Sequence, residues 1–552
     1  MKIDEPGQIG DVHIRNRLVM APMISNLANP DGNTNENHML YLGKRAEGGA
    51  GLIITEYAYI NPINSKGSRN QLGIFSDDYI PKLRRLTERI HRWNTKIFAQ
   101  LVHAGGKALK SHGERAVSPS PVSYPGGIPD EISEDEISLI VDDFAKSAVI
   151  AERANFDGIE IHGAHGYLVQ EFISPSLNRR EDSYGRDFRG RLRFPQEIID
   201  RIRECVSIPV GIRLSLYEDD EGGYGPDYGI NVAESLNGID YVHFSAGRFS
   251  PPGSSASFYS PRTHIFLRMP RKPNLTTIVV GSVTSKSDAE LVLSVADFVS
   301  LGRALLADPY FPKKVISNVI PRPCIRCNQA CRDLSYGEVR CTVNPETGFE
   351  STPLPFYNFK GEIDIIGGGV QGMEAAIYGA KCGLKVTIHE KNDRIGGQLL
   401  DLYDPLKKKE FSRLLDYYAH VMQKLGISIE LNDHYISEGL YCLPLVEYPE
   451  IKQSDKIIID SNIYRYQDDA MRLSLSSDVY MTKRSIEGLD RSRREAFSRN
   501  AIEMGVRFID NSITDRYSVS HFEKNQYDIR EAMVSGRSKI LHYIQENMNL
   551  FL

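Results

Sequence analysis

The chain has 552 residues and a formal net charge of −6, with 41% hydrophobic and 25% charged residues. This length corresponds to about three domains, and the composition is that of a globular protein, which excludes a disordered or collagen-like chain. The acidic balance excludes a globally basic nucleic-acid-binding protein, and no apolar run approaches the roughly 20 residues of a membrane-spanning helix. The N-terminal sequence MKIDEPGQIGD lacks the layout of a secretion signal. We therefore expect a cytoplasmic protein with no nucleic-acid or membrane partner.

Eight short β-type runs recur between helix-like stretches in the first 310 residues. The runs are almost entirely apolar, as expected for parallel strands that are covered on both faces. Between the third and fourth runs, residues 137–151 repeat apolar side chains with helical spacing. Eight strands with helical crossovers predict a (β/α)8 TIM barrel within residues 1–320, with a doubly wound open sheet as the alternative. The predicted strands are residues 17–23, 51–57, 96–103, 156–162, 208–215, 239–245, 276–282 and 296–303.

Glycines and polar residues follow the predicted strands, at the barrel end where (β/α)8 enzymes hold their catalytic groups. Predicted strand seven ends at Gly281 and Ser282, and predicted strand eight ends at Gly302 and Arg303. Loops after these two strands commonly form a phosphate site, because glycines admit backbone N–H groups to the anion and arginine adds charged donors. The alternative is a pair of tight turns beside a surface arginine. Gln100 and Arg213, at the ends of strands three and five, would serve a planar ring such as a flavin at the same mouth.

Two histidines and a tyrosine follow strand four in the sequence HGAHGY. The imidazole N–H groups of His162 and His165 can polarise a carbonyl, and the hydroxyl of Tyr167 can deliver a proton. A lone histidine would more often be structural. Three such groups on the expected catalytic face instead predict a site that converges on one substrate oxygen.

Four of the seven cysteines lie within residues 324–341, with the spacing C-x2-C-x3-C-x9-C. In a chain without a secretion signal, such a group indicates a metal site rather than disulfide bonds. Four thiolates suit either a structural zinc ion or an iron–sulfur cluster. Zinc ribbons usually carry two C-x2-C pairs, and the single pair here favours a [4Fe–4S] cluster. The candidate ligands are Cys324, Cys327, Cys331 and Cys341.

A glycine fingerprint follows the predicted strand at residues 362–366 and opens a predicted helix at 372–382. Its glycines are Gly367, Gly369 and Gly372, and the acidic Glu390 ends the next predicted strand. In this arrangement the helix N-terminus receives a pyrophosphate and the acidic residue a ribose hydroxyl. The pattern predicts a dinucleotide-binding Rossmann unit.

Five motifs follow one another along the chain: NRLVMAPM (16–23), AQLVHAGGK (99–107), HGAHGYLVQEFISPSLNRREDSYG (162–185), CIRCNQAC (324–331) and IGGGVQGMEAA (366–376). Together they resemble the iron–sulfur branch of the old yellow enzyme superfamily. This branch includes 2,4-dienoyl-CoA reductase, 2-enoate reductase, NADH oxidase and trimethylamine dehydrogenase. The resemblance covers about residues 1–432.

The resemblance implies FMN in the barrel, a [4Fe–4S] cluster on the four cysteines, and FAD that is reduced by NAD(P)H. It implies Tyr167 as the proton donor, with His162 and His165 holding the substrate. The implied FMN residues are Pro22, Met23, Tyr57, Gln100, Arg213, Gly281, Gly302 and Arg303, and the implied FAD residues are Gln371, Glu390, Gln398 and Lys408.

Members of this branch carry a second glycine fingerprint for NAD(P)H, and the sequence after residue 432 lacks it. The predicted organisation is an FMN-binding barrel at 1–320, a cluster segment at 321–355, an FAD-binding Rossmann half at 361–432 and a degenerate nucleotide-binding-like region at 433–552.

These features predict an NAD(P)H-dependent enzyme that reduces the activated C=C bond of an enoate, enone or dienoyl thioester. Hydride would pass from FMN to the β-carbon, the two histidines would stabilise the enolate oxygen, and Tyr167 would protonate the α-carbon. Amine dehydrogenation or demethylation and NADH oxidation are alternatives on the same scaffold, and an electron-transfer or redox-partner scaffold is the alternative outside enzymology. The expected partner is a small unsaturated molecule, and a homo-oligomer or a redox partner protein is compatible with this prediction.

Overall fold

The computed structural model describes the barrel apart from a few loop segments, and most of the chain between the barrel and residue 434. Within the described ranges, no helix combines the length and apolar character that crossing a membrane requires. The described residues are 1–109, 115–124, 126–218, 222–248, 265–332, 337–353, 358–434, 439–442, 456–459, 464–483, 497–498, 501–509 and 529–546.

A closed barrel of eight parallel strands forms the first part of the chain. The last strand pairs with the first, with Ser300 opposite Val19, and this pairing closes the sheet. Seven of the eight predicted strands contain an observed one, and the fourth observed strand runs one residue past its predicted end, to Gly163. The TIM barrel is therefore confirmed, and the open doubly wound sheet is wrong. The strands are β1 (Leu18–Met20), β2 (Leu52–Ile54), β3 (Lys96–Val102), β4 (Gly158–Gly163), β5 (Val210–Ser215), β6 (Tyr241–Ser245), β7 (Thr276–Val280) and β8 (Phe298–Leu301).

The N-terminal end of the barrel is filled by side chains. An antiparallel hairpin of Gly7–Ile9 and Val12–Ile14 lies there, and its Ile9 and Ile14 are fully buried. They belong to one apolar cluster with Phe298 of β8 and residues of the other strands. Because this end is packed, a ligand can enter from the opposite end, where the strands terminate.

Helices on the outside of the barrel bury one apolar face each. The helix at Glu134–Arg153 begins with a capping box, in which Ser133 and Glu136 satisfy each other's backbone N–H groups. The apolar side chains that recur with helical spacing from Ile137 to Ala148 are buried along one face of this helix. The barrel-associated helices are α1 (Glu36–Glu47), α2 (Ile80–His91), α3 (Glu134–Arg153), α4 (Leu168–Ile173), α5 (Phe188–Cys205), α6 (Pro226–Ser235), α7 (Lys286–Val292), α8 (Arg303–Ala307) and α9 (Phe311–Ile316).

A Rossmann-like unit follows, with four parallel strands. Across the sheet their order is β11 (Ser428–Leu431), β10 (Lys385–Glu390), β9 (Glu362–Ile366) and β12 (Leu440–Tyr441). A second, smaller sheet of three parallel strands comes after it, and a final helix returns to the first unit. The first unit comprises β9 (Glu362–Ile366), α10 (Val370–Lys381), β10 (Lys385–Glu390), α11 (Pro405–Lys424), β11 (Ser428–Leu431) and β12 (Leu440–Tyr441), and the later elements are β13 (Lys456–Ile459), α12 (Tyr464–Leu473), β14 (Asp478–Thr482), β15 (Arg507–Ile509) and α13 (Ile529–Glu546).

A buried ion network ties the segment after the barrel to the Rossmann-like unit. Glu374 on α10 accepts hydrogen bonds from Arg322 at 2.6 Å, from Arg537 on α13 at 2.9 Å and from the Tyr418 hydroxyl at 2.8 Å. Burial alone would raise the pKa of Glu374, but the two guanidinium groups outweigh it and lower the pKa to about 2. The carboxylate is therefore ionised and links three parts of the chain.

Candidate active site

A cavity of about 340 Å3 opens at the C-terminal end of the barrel strands. Ten of the predicted residues line it together, and they come from six strand ends and their loops. Gln100 lies on β3 and is fully buried. The predicted residues that line the cavity are Pro22, Met23, Tyr57, His162, His165, Tyr167, Arg213, Gly281, Gly302 and Arg303.

The ring of His162, near the end of β4, forms one cluster with the rings of His165 and Tyr167, which lie between β4 and α4. The ring centre of His162 lies 5.2 Å from that of His165 and 4.9 Å from that of Tyr167. The Tyr57 ring completes the cluster, with its centre 5.2 Å from Tyr167. The three residues predicted to act on a substrate therefore face one cavity.

The turn after β4 aims these side chains. His165 has a left-handed backbone with φ of 62°, an unusual conformation that neighbouring groups stabilise. Its backbone carbonyl accepts a hydrogen bond from Lys107, and its Nε2 lies 2.7 Å from the Ser245 hydroxyl. Gly166 N–H donates to Gln170 at 2.7 Å, and the chain then enters α4. The turn is thus fixed from both sides of the cavity.

Both histidines are neutral at physiological pH. Burial lowers the pKa of His162 and His165 well below the ordinary value, and the positive charges of Arg213 and Lys107 lower it further. Each neutral imidazole can donate one N–H group to a carbonyl oxygen. Burial also raises the pKa of Tyr167, although a hydrogen bond with Tyr57 opposes part of this effect. The Tyr167 hydroxyl therefore keeps its proton.

Four buried polar atoms at this end of the barrel have no hydrogen-bond partner among the described residues. They are Gln100 Oε1, Arg213 Nε, His162 Nδ1 and Ser300 Oγ. Burial lowers the pKa of Arg213 to about 10, so its guanidinium is still charged at neutral pH. Unsatisfied buried polar atoms are rare in folded proteins and indicate a missing partner. An aromatic ring system with donors and acceptors on its edge, such as an isoalloxazine, has the chemistry to satisfy them.

The loops after β7 and β8 meet around Arg303, as predicted for a phosphate site. Arg303 donates to Ser282 Oγ at 3.1 Å and to Asn328 Oδ1 at 2.6 Å. Gly281 has φ of 145°, a conformation open to glycine and strained for other residues. A Cβ atom on Gly302 would lie 3.1 Å from the Met23 sulfur, so a side chain here would crowd the cavity.

The cysteine segment borders the cavity. Cys331 lines the cavity wall, and Cys324, Cys327 and Cys341 are buried beside it. Burial and the neighbouring thiols raise the pKa of Cys331 to about 12, and the same causes raise the pKa of Cys341. No group of three or more His, Cys, Asp or Glu side chains in the described ranges is already arranged around a metal position. Four cysteines whose thiols influence one another electrostatically still have the donor chemistry of a metal cluster, whose positive charge would offset the repulsion between thiolates.

The glycine fingerprint has the close approaches of a dinucleotide-binding turn. A Cβ atom on Gly372 would lie 1.8 Å from the Gly367 carbonyl oxygen, so the turn requires glycine there. Gly369 is the N-cap residue of α10. Glu390 Oε2 accepts the Gly368 N–H at 2.8 Å, which places the acidic residue beside the turn.

Three further residues implied for FAD lie in or after this turn. Gln371 is part of it, but its side chain points to α13, where its Nε2 donates to Ser535 Oγ at 2.6 Å. Gln398 is exposed and follows Gly396, whose N–H donates to the Gly368 carbonyl at 2.9 Å. Lys408 is exposed on α11, and the roles of the three side chains stay predictions.

The sequence of the second α/β unit differs from that of the first. It has no glycine between Gly439 and Gly488, the stretch that carries β13 and α12. Asp468 on α12 is buried, and its carboxylate accepts the backbone N–H groups of Tyr403 at 2.7 Å and Asp404 at 3.1 Å. A buried acidic residue that packs α12 against the first unit does not favour an anionic pyrophosphate.

Sequence reasoning missed Ser300 and the connector residue Arg332, both of which line the cavity. Ser300 lies within the apolar run of β8, and its polarity there was the available signal. Arg332 lies next to Cys331 and reaches the cavity only because the cysteine segment folds over the barrel end.

Comparisons with known proteins agree with this architecture. Residues 2–320 match the NADH:flavin oxidoreductase / NADH oxidase family, and residues 365–435 match an NAD(P)-binding Rossmann-like domain. An NADH oxidase of Thermoanaerobacter brockii is 40% identical over 445 residues, which cover 77% of this chain and 68% of that protein. A cinnamate reductase of Clostridium sporogenes is 32% identical over 472 residues, which cover 78% of this chain and 70% of that protein.

Solved structures share the fold over most of the chain. A 2-naphthoyl-CoA reductase complex has a TM-score of 0.82 at 23% identity, covering 92% of this chain and 87% of its own. The 6-hydroxypseudooxynicotine amine oxidase of Pseudomonas geniculata N1 has a TM-score of 0.84 at 20% identity, covering 98% of both chains. The barrel, the Rossmann-like unit and the sequence matches together show that this chain is an oxidoreductase and belongs to the NADH:flavin oxidoreductase / NADH oxidase family.

Proposed function

We propose that this protein reduces the C=C bond of an α,β-unsaturated carbonyl compound, with NAD(P)H as the electron donor. The observation that carries the proposal is the grouping of two neutral histidines and one protonated, buried tyrosine around a single cavity. A carbonyl oxygen needs N–H donors, and the carbon next to it needs a proton. The cavity supplies both at short range.

FMN fits the buried atoms that lack partners. We assign its ring to Gln100, Arg213, Pro22 and Met23, with Tyr57 beside the ring, and its phosphate to the loops of Gly281, Gly302 and Arg303. When bound, FMN would supply a hydride to the β-carbon of the substrate. The support is the orphaned set of polar atoms and the meeting of the two glycine-containing loops at Arg303.

The side chains of the barrel would then bind and protonate the substrate. His162 and His165 would donate hydrogen bonds to the carbonyl oxygen and stabilise the charge that develops on it. Because both rings are neutral, they can donate without releasing a proton of their own. The Tyr167 hydroxyl would give its proton to the α-carbon. The cluster of rings around it excludes water from this step.

We assign a [4Fe–4S] cluster to Cys324, Cys327, Cys331 and Cys341. The support is the spacing of the four thiols, the burial of Cys324, Cys327 and Cys341, and the mutual electrostatic influence of the group. Such a cluster carries single electrons, which lets a dinucleotide site exchange electrons with FMN across the segment. Zinc is the alternative for the same thiolates.

We assign FAD to the first Rossmann-like unit, around Gly367, Gly369, Gly372 and Glu390. The tight glycine turn and the N-terminus of α10 support this assignment. The sequence between β13 and α12 contains no glycine, so we expect no dinucleotide there. One dinucleotide per chain is the expected stoichiometry.

The experiment is anaerobic turnover with cinnamate and with a simple enone as probes, after determination of iron, sulfide, FMN and FAD per chain. The enzyme is reduced first with NADH or NADPH and, in parallel, with dithionite. Saturation of the C=C bond by the reduced enzyme supports the proposal. Fully reduced, FMN-loaded enzyme that reduces neither probe would refute the proposed reaction. Reduction by dithionite alone would place the defect in the nicotinamide site.

Oxidation of NADH by oxygen is a second candidate, because the 40% identical relative is named NADH oxidase. The two functions separate in air. NADH consumption with matching oxygen uptake, unaffected by cinnamate or enone, would favour the oxidase. Suppression of oxygen uptake by the unsaturated probe would favour the reductase.

A further inference from the structure

Glu160 on β4 is a fully buried carboxylate inside the barrel. Its Oε1 accepts a hydrogen bond from Gln100 Nε2 at 2.6 Å. Its Oε2 accepts from the Tyr241 hydroxyl at 3.2 Å and lies 2.9 Å from His243 Nδ1. A carboxylate partner selects the imidazole tautomer with its proton on Nδ1, so three donors from β3 and β6 converge on this one group.

The bond to Glu160 determines what Gln100 offers to a ligand. With Nε2 held by the carboxylate, Oε1 is the group left without a partner among the described residues. A flipped amide would place its oxygen against the carboxylate and lose a charge-assisted hydrogen bond. The Gln100 amide is therefore oriented so that its Oε1 can accept a hydrogen bond from a ring N–H group.

Glu160 also offsets the positive charge that faces the cavity. Burial lowers the pKa of Arg213, and the nearby Glu160 carboxylate raises it. Arg213 lines the cavity, with Nη1 donating to the Pro22 carbonyl at 3.3 Å and Nε unpaired. The Glu160 carboxylate lies deeper in the barrel than the Arg213 guanidinium. Arg213 lines the cavity, whereas Glu160 is fully buried and does not line it. In a medium of low dielectric constant, such a charge acts over several ångströms.

We propose that Glu160 is a positioning residue that fixes the Gln100 amide and lowers the reduction potential of FMN in the barrel. The inference rests on the proposed FMN site. Reduced flavin carries more negative charge than oxidised flavin, so a buried carboxylate beneath it disfavours reduction. Arg213 has the opposite effect, and Glu160 limits it.

The test is Glu160→Gln in the FMN-loaded enzyme, with the potential of FMN measured by dye equilibration. The substitution preserves size, and His243 can change tautomer to accept from the new amide. We expect the ratio of reduced to oxidised FMN at a fixed potential to rise about tenfold, which for a two-electron couple is a shift of about +30 mV. The dissociation constant of FMN should rise as well, because a neutral amide oxygen holds the Gln100 amide less strongly than the carboxylate does.

Two further variants separate charge from packing. Tyr241→Phe removes one donor but keeps the carboxylate and its bond to Gln100, so the potential should stay at the wild-type value. Glu160→Asp keeps the charge but withdraws it from Gln100, so FMN should bind more weakly at a nearly unchanged potential. An unchanged potential in Glu160→Gln, or equal shifts in Glu160→Gln and Glu160→Asp, would overturn the inference. Wild-type protein that binds no FMN would instead refute the proposed function.

Discussion

Replacing Tyr167 by phenylalanine tests the proton donor directly. The phenyl ring keeps the contacts with His162 and Tyr57, whose ring centres lie 4.9 Å and 5.2 Å away, and only the hydroxyl is lost. We therefore expect FMN to stay bound and its reduction to proceed at the wild-type rate. The step that should slow is the transfer of electrons to the unsaturated substrate, because the α-carbon loses its proton source.

The size of the effect follows from the neighbours of Tyr167. A positioned proton donor typically accelerates a reaction by about 10²- to 10⁴-fold. The hydroxyl of Tyr57 is hydrogen-bonded to Tyr167 and could relay a proton in its place, so the lower end, about 10²-fold, is expected for the single variant. The double variant Tyr57→Phe/Tyr167→Phe should approach the upper end. The assay is stopped-flow oxidation of the dithionite-reduced enzyme by an enone or cinnamate.

The same step should depend on pH in a defined direction. Burial raises the pKa of Tyr167 above its ordinary value, so the donor form is present throughout the neutral range and the rate should fall only above pH 10. Tyr57 lowers this pKa through its hydrogen bond, and Tyr57→Phe should move the alkaline decline to still higher pH. An unchanged rate in Tyr167→Phe, or a Tyr57→Phe decline shifted to lower pH, would refute the role of Tyr167.

Three further predictions concern the rest of the chain. Cys327→Ala should remove iron and sulfide measured on anaerobically purified protein, whereas the exposed Cys205→Ala should retain both; a colourless wild type that contains zinc would contradict this. Gly372→Ala should abolish FAD binding, because its Cβ would lie 1.8 Å from a carbonyl oxygen, while Gly225→Ala, with open space around its Cβ, should bind normally in the same equilibrium dialysis. Glu374→Gln should lower the free energy of unfolding by roughly 3–5 kcal/mol, since two buried arginines lose their partner. In the wild type, the Glu374 pKa of about 2 means that this stabilisation is present above the ordinary carboxyl pKa and is lost as pH falls towards 2. Urea titrations at several pH values measure this loss. Equal acid sensitivity of the wild type and Glu374→Gln would contradict the pairing of Glu374 with the two arginines.

Local sequence signals were sufficient for the elements whose chemistry is contiguous. The strand β9 occurs at the predicted residues 362–366, where a glycine on each side bounds the run, and β10 ends at Glu390 as predicted. The helix predicted at 372–382 begins earlier, at Val370, since Gly369 supplies the N-cap and Gly372 lies inside the first turn. His162, His165 and Tyr167 were found because they share one turn after a strand.

Groups assembled from distant strands were harder to predict. Glu160 pairs with Gln100 across 60 residues and with His243 across 83 residues. Its position in the run GIEIH carried a signal, because a charged residue in an otherwise apolar strand must find partners or pay a large desolvation cost. The identity of those partners depends on barrel closure, which brings β3, β4 and β6 to one interior layer. Periodicity along a single strand does not contain this information.

The connector between the barrel and the Rossmann-like unit explains how these two parts can work as one enzyme. Arg326, between two of the cysteines, donates to Glu410 of α11 at 2.5 Å and to the Ser282 carbonyl of the barrel at 2.9 Å. Asn328, one residue after Cys327, accepts from Arg303 in the phosphate loop. The cysteine segment is therefore held against α11 of the Rossmann-like unit and against the barrel loops after β7 and β8, which include Arg303 of the predicted phosphate site. A loss of dinucleotide chemistry in the second α/β unit leaves this connection intact, because its contacts are made by α11 and the barrel loops.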